Sequence, residues 1–357
     1  MKTWHKVLIS IVAIMGIILI YLLFWPVPID PVAWTPPKAP VLTGVYEVNT
    51  RLTPVELLGA GTGVGPEDVA VDAQGRIYGG MEDGQILRFQ AGGSQPEVFA
   101  DTGGRPLGLH FDGADNLVVA DAYKGLLSIA PDGSITVLST EHGGVPFRLT
   151  DDLDIAADGT IYFSDASYKF PNDQYVLDLL EHRPNGRLLA YDPSTKTTRL
   201  VLDKLYFANG VAVSPDQSFV LVVETGKYQV RRYWLTGPWQ GESEIFIDNL
   251  PGYPDGISSN GKDTFWLALP SPRIPDFDAM APQPFLRKII LRLPKSLVFS
   301  STEEYGFVLG LDVDGNVVHN LQDPSGAYAQ ITSVQEHEGI LYIGSLGEAA
   351  IGRLPVL

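Results

Sequence analysis

A turn followed by a short apolar strand recurs six times along this 357-residue chain, and this repeat constrains the fold more than any other feature. The first residues of these strands are Ile77, Leu117, Ile161, Phe219, Phe265 and Leu341. Most of the units continue into a second strand through another turn, as in NGRLLAYDP and KYQVRRYWL. Repeats of about 40 residues that each form a small antiparallel sheet are typical of β-propellers. We therefore predict an all-β fold, a six-bladed β-propeller, because a sandwich or simple barrel does not predict such recurrence.

Two spacings between units exceed the repeat length. Residues 167–185 account for the first excess, and residues 271–285 together with a further strand pair, GFVLGLDVDGNVVHNL, account for the second. Long insertions belong on the rim of one face, where they commonly shape a site. We also predict that LRKIILRL (286–293) is the second strand of the fifth unit, and that the strand GVYEV (44–48) closes the ring by pairing with the last blade.

The N-terminus predicts a membrane anchor. Residues 7–25 carry no charge over 19 positions, about the length that a helix needs to cross a bilayer core. Lys2 and Lys6 precede this run and no Lys or Arg follows until Lys38, so the positive-inside rule places the N-terminus in the cytoplasm and the remainder outside it. The alternative is a cleaved signal peptide, but the run is long and ends without a small-residue cleavage site.

The chain is thus divided into a cytoplasmic stub and transmembrane helix (1–25), a proline-rich spacer (26–40) and the propeller (41–357). Six prolines in the spacer predict a stiff, extended segment that lifts the propeller off the lipid. A net charge of −17 argues against nucleic acid as a partner. The absence of cysteine excludes disulfides, thiolate metal sites and cysteine nucleophiles.

Equivalent positions of different blades converge on the central channel, so the repeat can be used to search for a site. Ten residues before each reference strand position stand Glu67, Leu107, Asp151, Asn209, Asp255 and Ile331. Three carboxylates and one carboxamide that point to one axis are the hard oxygen ligands that Ca²⁺ prefers. The alternative is that each residue only caps a turn. We expect a calcium site formed by Glu67, Asp151, Asn209 and Asp255.

One residue further along, Asp68 and Asp152 are carboxylates, whereas the equivalent residues of the other units are Gly108, Gly210, Gly256 and Thr332. This second set predicts either a second cation site or only a more negative channel. Arg148 precedes Asp151 by three residues and is a candidate contact for a substrate carbonyl, or else a solvated loop residue. The six histidines show no metal-ligand spacing such as H-E-x-x-H.

Several motifs carry a family resemblance. They include GPEDVAVD, TDDLDIAADGTIYFSDAS, LYFANGVAVSPD and NLPGYPDGIS, and the similarity extends from about residue 66 to residue 354. The region resembles the strictosidine synthase-like family, which includes the adipocyte plasma membrane-associated proteins and which also has an N-terminal anchor. The wider superfamily contains the senescence marker protein/gluconolactonases and the paraoxonases. It implies a six-bladed propeller with Ca²⁺ in the channel, used in some members to hydrolyse lactones or aryl esters.

Residue by residue, the resemblance implies that Glu67, Asn209 and Asp255 bind the metal. Asp151 stands where the family usually has Asn, which adds a negative charge. The paraoxonases' second, structural calcium implies a similar role for Asp68 and Asp152.

Two departures limit the reaction. Leu107 stands where the paraoxonases have a catalytic His, and Thr332 stands where strictosidine synthase has its catalytic Glu, so a strictosidine-type condensation is not expected. Arg148, Leu107 and Thr332 remain the candidate substrate-contacting residues.

The leading prediction is a membrane-anchored, calcium-dependent hydrolase of a small-molecule lactone or aryl ester. Asp255 is the candidate general base for the attacking water. The alternative is a non-catalytic propeller with a structural calcium that binds a protein, lipid or small molecule. The sequence predicts no nucleic-acid partner and leaves the oligomeric state and the substrate open.

Overall fold

The computed structural model describes residues 3–294 and 304–356. An N-terminal helix, Thr3–Phe24, is followed by six four-stranded antiparallel sheets, which we call blades 1 to 6. In each blade the strands follow one another along the sheet, except that blade 6 takes its outermost strand from the N-terminal side of the propeller. The prediction of an all-β, six-bladed propeller is confirmed.

The first three blades have these strands: Val69–Val71, Ile77–Gly80, Gln85–Phe89 and Glu97–Asp101 in blade 1; Pro106–Phe111, Leu117–Asp121, Gly125–Ile129 and Ile135–Ser139 in blade 2; Thr150–Ile155, Ile161–Asp165, Gly186–Asp192 and Thr197–Leu205 in blade 3. A small hairpin, Glu141–His142 with Val145–Pro146, lies between blades 2 and 3.

The other three blades have these strands: Ala208–Val213, Phe219–Glu224, Gln229–Trp234 and Ser243–Ile247 in blade 4; Ile257–Ser259, Phe265–Ala268, Gly306–Leu311 and Val317–Asp323 in blade 5; Ile331–His337, Ile340–Ser345, Ile351–Pro355 and Glu56–Leu58 in blade 6. Short 3-10 turns occupy Gly44–Tyr46, Asn172–Gln174 and Thr225–Lys227.

The first strand of each blade is the innermost one. The first strands of blades 1 to 6 contact one another in succession, and that of blade 6 contacts that of blade 1, so they form a closed ring around an axis. The predicted reference positions begin the second strands of blades 1 to 5, and Leu341 is the second residue of the equivalent strand in blade 6. Residues ten positions earlier therefore lie on, or just before, the innermost strands.

Glu56–Leu58 closes the ring by pairing antiparallel with Ile351–Pro355. The prediction for residues 44–48 is wrong, because Gly44–Tyr46 forms a 3-10 turn beside the outer strand of blade 5. The residues between this turn and the closing strand pass around blade 5. There the Asn49 side chain donates to the Asn320 carbonyl and accepts from the Gln322 N–H. Only residues beyond this passage reach blade 6.

Both insertions lie between the second and third strands of their blades, and both contain short helices. Tyr175–Glu181 lies in the blade 3 insertion, and Pro275–Met280 and Pro284–Ile290 lie in the blade 5 insertion. The prediction of a strand at 286–293 is wrong, since the short apolar run is helical from Pro284 to Ile290. The strands of the predicted additional pair are instead the third and fourth strands of blade 5.

The spacer lies on these insertions instead of standing away from the propeller. The Val32 N–H donates to the Glu181 carbonyl at 3.0 Å, and the Trp34 N–H donates to the Ala281 carbonyl at 3.1 Å. Ile29 is buried against Phe170 and Leu180 of the blade 3 insertion. Spacer residues 26–40 and the two insertions thus form one layer, the collar, on one face of the ring. We call the opposite end of the ring the far face.

His182 lies within the collar. Its ring stacks on Trp34 with the centroids 4.3 Å apart, and Tyr206 packs on it as well. Burial, followed by the positive charges of Lys227 and Arg287, lowers the pKa of His182 from 6.5 to about 3. The folded protein therefore holds this imidazole neutral where the unfolded chain protonates it.

Replacing Leu58 tests the closing strand. The Leu58 side chain is 4% exposed and packs against Phe89 and Ile351, whereas Leu57, its neighbour on the other side of the strand, is 49% exposed. We expect Leu58→Ala to lower the free energy of unfolding by about 2–5 kcal/mol. Leu57→Ala is the matched control and should change it by less than about 0.5 kcal/mol. Equal effects in denaturant titrations would contradict the assignment of the closing strand.

Acid should destabilise the collar through His182. Because its folded pKa lies below its unfolded pKa, the stability that it confers is present above pH 6.5 and is lost as the pH falls toward 3. At pH 5 the loss should be about 2 kcal/mol. His182→Asn, which tolerates the positive φ of this residue, should show a smaller drop in melting temperature between pH 7.5 and 5 than the parent. His337→Asn, in blade 6, should keep the parental drop; an unchanged drop in His182→Asn would refute the prediction.

Candidate metal centre and active site

Four predicted ligands lie together where the innermost strands begin. Asp151 and Asn209 are on the innermost strands of blades 3 and 4, and Glu67 and Asp255 lie two residues before those of blades 1 and 5. Glu67, Asp151 and Asn209 are buried, and Asp255 is partly exposed. The Asn209 amide donates to the Thr225 hydroxyl at 3.3 Å and also lies close enough to Asp255 to lower the pKa of that carboxyl. The structure thus brings the four predicted ligands together, and their binding of calcium stays a prediction.

The three carboxylates of this site repel one another in a desolvated setting. Burial, then the charges of Asp255 and Asp151, raises the pKa of Glu67 well above its usual range. Burial and the charge of Asp255 do the same for Asp151. The pKa of Asp255 rises to about 7, mainly through burial, and the Asn209 amide opposes the rise. Like charges held out of water favour either protons or a bound cation.

Arg105 supplies a buried positive charge beside the site. Its Nη1 donates to the carbonyls of Gly65 at 2.8 Å and Gly80 at 3.2 Å, and its charge lowers the pKa of both Glu67 and Asp151. One cation against three ionised carboxylates leaves two negative charges without compensation. The oxygen donors and this excess charge fit a divalent, oxygen-seeking ion such as Ca²⁺.

The donors do not form a closed coordination shell. Within residues 3–294 and 304–356, no three His, Asp or Glu side chains are close enough together to hold a metal ion unaided. The Asn209 amide and backbone carbonyls near the axis would have to complete any shell, together with adjustment of the side chains. The structure therefore shows a set of facing donors whose chemistry suits a cation.

The second predicted set has a different immediate role. The Asp68 carboxylate of blade 1 accepts the Leu109 N–H of blade 2 at 2.8 Å, and the Asp152 carboxylate of blade 3 accepts the Val211 N–H of blade 4 at 2.7 Å. These bonds join the innermost strands of neighbouring blades. Both carboxylates retain acceptor capacity, so a second cation remains a prediction.

Glycines fill three of the equivalent positions because neighbouring strands approach closely there. A Cβ on Gly210 would lie 2.4 Å from the Ile257 nitrogen, and one on Gly256 would lie 2.5 Å from the Thr332 carbonyl oxygen. Gly108 meets the backbone of Asp152 in the same way. Asp and Gly at this register therefore serve the contacts between blades.

A cavity of about 230 Å³ extends along the axis from the ligand set to the far face. Glu67, Asp151 and Asn209 line its inner end, and the turns between the first and second strands, at Pro215 and Gly261, line its outer end. His110 and Asp154 lie along its wall, with Nε2 of the histidine 3.2 Å from a carboxylate oxygen. The channel is thus open to solvent on the side away from the collar.

The predicted substrate contacts are only partly brought to the site. Leu107 is buried beside Leu149 and Phe207 and lines the cavity. Thr332 is buried, and its hydroxyl donates to the Glu67 carbonyl at 2.6 Å, which joins blade 6 to blade 1. Arg148 is exposed on the loop before blade 3 and does not line the cavity. Its contact with a substrate stays a prediction.

Two residues near the site, Arg105 and Tyr175, were not predicted from the sequence. Arg105 precedes the innermost strand of blade 2 by one residue, but an isolated arginine gives no sign that it will be buried. Tyr175 begins the helix of the blade 3 insertion and lies close enough to Asp255 for that charge, after burial, to raise its pKa. The only available signal for Tyr175 was the length of the insertion.

Asp151→Asn should relieve the repulsion between the carboxylates. In the absence of divalent ions we expect this variant to unfold at a higher temperature than the parent, by a free energy of the order of 1 kcal/mol. Calcium should then stabilise it less than it stabilises the parent, because one charge is missing. Asp158→Asn, in an exposed turn of the same blade, is the control and should leave both quantities unchanged. A lower melting temperature of Asp151→Asn in EDTA would contradict the repulsion.

Solved structures of known proteins share this fold. A gluconolactonase from Xanthomonas campestris matches with a TM-score of 0.62 at 18% identity, over 86% of this chain and 91% of that one. The calcium-binding protein regucalcin from Agrobacterium tumefaciens matches with a TM-score of 0.58 at 14% identity, over 84% and 90% of the two chains. At these identities the likeness concerns the fold alone.

Sequence comparisons are more specific. Residues 151–238 match the family model for strictosidine synthase, and residues 44–89 match that for the N-terminal part of strictosidine synthase-like proteins. Strictosidine synthase-like 6 of Arabidopsis thaliana is 41% identical over 317 residues, 87% of this chain and 84% of the relative. Human adipocyte plasma membrane-associated protein is 34% identical over 349 residues, 92% and 84% of the two chains. The chain belongs to the strictosidine synthase-like family of six-bladed propellers.

Proposed function

We propose that this protein is a calcium-dependent hydrolase of small lactones or aryl esters, associated with a membrane through its N-terminal helix. One observation carries the proposal: buried Glu67, Asp151 and Asn209 line the inner end of a cavity, and burial and the mutual repulsion of Glu67, Asp151 and Asp255 raise the pKa of Glu67 and Asp151, which favours a bound cation. The solved structures named as a gluconolactonase and as a calcium-binding protein share the fold and suggest which substrates and which metal to test first.

Glu67, Asp151, Asn209 and Asp255 would hold the ion. Bound Ca²⁺ would polarise the substrate carbonyl and offset the negative charge that develops on its oxygen. The protein's own part is to keep the donors in place, and Arg105 and the inter-blade bonds do this.

Asp255 is the proposed general base. Its carboxylate is partly exposed, and with no ion bound its pKa is raised to about 7, mainly through burial. A bound cation would lower this pKa and keep the carboxylate ionised as a base at neutral pH. In hydrolysis it takes a proton from water as the water oxygen bonds to the carbonyl carbon. It returns the proton to the departing alkoxide or phenoxide, and an acid and an alcohol or phenol result.

A second candidate function is binding without turnover. Leu107 and Ile331, at the two remaining ring positions, are buried and apolar, so these two positions offer no polar group to a reaction. In that case the ion would stabilise the ring, and a ligand would occupy the cavity unchanged.

Metal content and turnover should be measured on the full chain in detergent or nanodiscs. After dialysis against calcium-free buffer we expect retained calcium, and EDTA should lower the melting temperature. The protein should hydrolyse members of a panel of aryl acetates and γ- and δ-lactones, and Asp255→Asn should slow this at least about 100-fold. Asp158→Asn is the matched control and should keep parental rates.

The outcomes separate the candidates. Stabilisation by calcium without hydrolysis of any panel member would favour the binding function. No calcium after dialysis, together with parental turnover by Asp255→Asn, would refute the proposed hydrolase mechanism.

A further inference from the structure

The end of the apolar helix is fastened to the blade 5 insertion. Arg292 is buried, its Nε donates to the Trp25 carbonyl at 2.6 Å, and its Nη1 donates to the Leu22 carbonyl at 2.8 Å. Those carbonyls belong to the last turn of the helix and the residue after it, where helical partners run out. Helix Thr3–Phe24 is long and apolar enough to cross a membrane, and none of its residues is buried in the protein. Arg292 therefore lies where this helix would leave a bilayer.

The collar holds the chain tightly beyond that point. The Arg287 guanidinium donates to the carbonyls of Val32, Ala281 and Leu180, and Arg273 donates to the Pro37 carbonyl at 2.7 Å. If the 15 residues of the spacer were extended and free, they could hold the propeller about 45 Å from the lipid. Bonded along the collar, they leave little slack between the helix and the propeller.

Next to Arg292 lies a set of apolar side chains, which we call the stripe, that the propeller covers only in part. Phe285 and Ile289 are four residues apart and share one side of the helix Pro284–Ile290, and Leu293 lies in the turn that follows it. None of the three is buried, and Phe285 is 56% exposed. Lys288, on the same helix, lies 3.4 Å from the Asp30 carboxylate, which also pairs with Arg183. These three side chains together leave one excess positive charge that suits phosphate headgroups.

We propose that the collar face docks on the phospholipid bilayer, with the stripe Phe285, Ile289 and Leu293 in the lipid–water interface. The occupant is the membrane in which the helix is anchored, since the stripe continues directly from the helix end that Arg292 binds. The cavity mouth on the far face then points away from the lipid. This inference rests on the proposed membrane association through the N-terminal helix, and it does not depend on catalysis or on calcium.

The absence of cysteine allows a direct test with the full chain. Phe285→Cys and Trp239→Cys would each be labelled with an environment-sensitive fluorophore and placed in phosphatidylcholine nanodiscs. Trp239 is the matched control: it is 62% exposed and lies between the third and fourth strands of blade 4, hence on the far face. With a lipid quencher near the headgroups, we expect loss of fluorescence and a blue shift for the label at 285 and neither for the label at 239.

A second reporter covers the case in which Phe285→Cys fails to fold. Val32 is exposed on the spacer, so a label on Val32→Cys should also be quenched. Labels at 285 and 32 that stay as accessible to an aqueous quencher as the label at 239 would overturn the proposal, and so would equal lipid quenching at 239. Lipid quenching confined to the collar face would support it.

Discussion

The contact between neighbouring innermost strands is the constraint on which the rest of the structure depends. These strands lie so close together that a Cβ on Gly210 or Gly256 would clash with the backbone of the next strand. Where the backbone is not bonded directly, a side chain such as that of Asp68 or Asp152 completes the contact. The same convergence brings the polar side chains one residue earlier to the axis. The close packing of the innermost strands therefore both closes the ring and assembles the candidate site.

Much of the fold could be predicted, because the signal was periodic. Six strand starts at related spacings identify blades, and a fixed offset from them located Glu67, Asp151, Asn209 and Asp255 without any knowledge of the structure. The method works because equivalent residues of a repeat occupy equivalent positions. The offset favours a ring site over ordinary turn residues only because several units have a polar residue at the same position.

What the sequence could not give depends on packing between distant segments. The short apolar run at 286–293 fits a strand or a helix equally well, and its position in the insertion decides for the helix. The closing strand lies beyond the passage around blade 5, whose length no local pattern reveals. Asp68 and Asp152 meet partners about 40 to 60 residues away, and the docking of the spacer depends on arginines far along the chain, such as Arg273 and Arg287. These contacts exist only after the ring has formed.

The closing strand also fixes an order of events during synthesis. Glu56–Leu58 leaves the ribosome long before its partner Ile351–Pro355, since Glu56 pairs with Arg353. Blade 6 therefore cannot be completed until residues 351–355 have been translated, and the Thr332–Glu67 bond must wait for residue 332. An N-terminal helix already inserted in a membrane would hold the early strand in place through this interval. Closure of the ring is then a late step of folding, and until residues 351–355 arrive the unpaired strand edge is a target for chaperones.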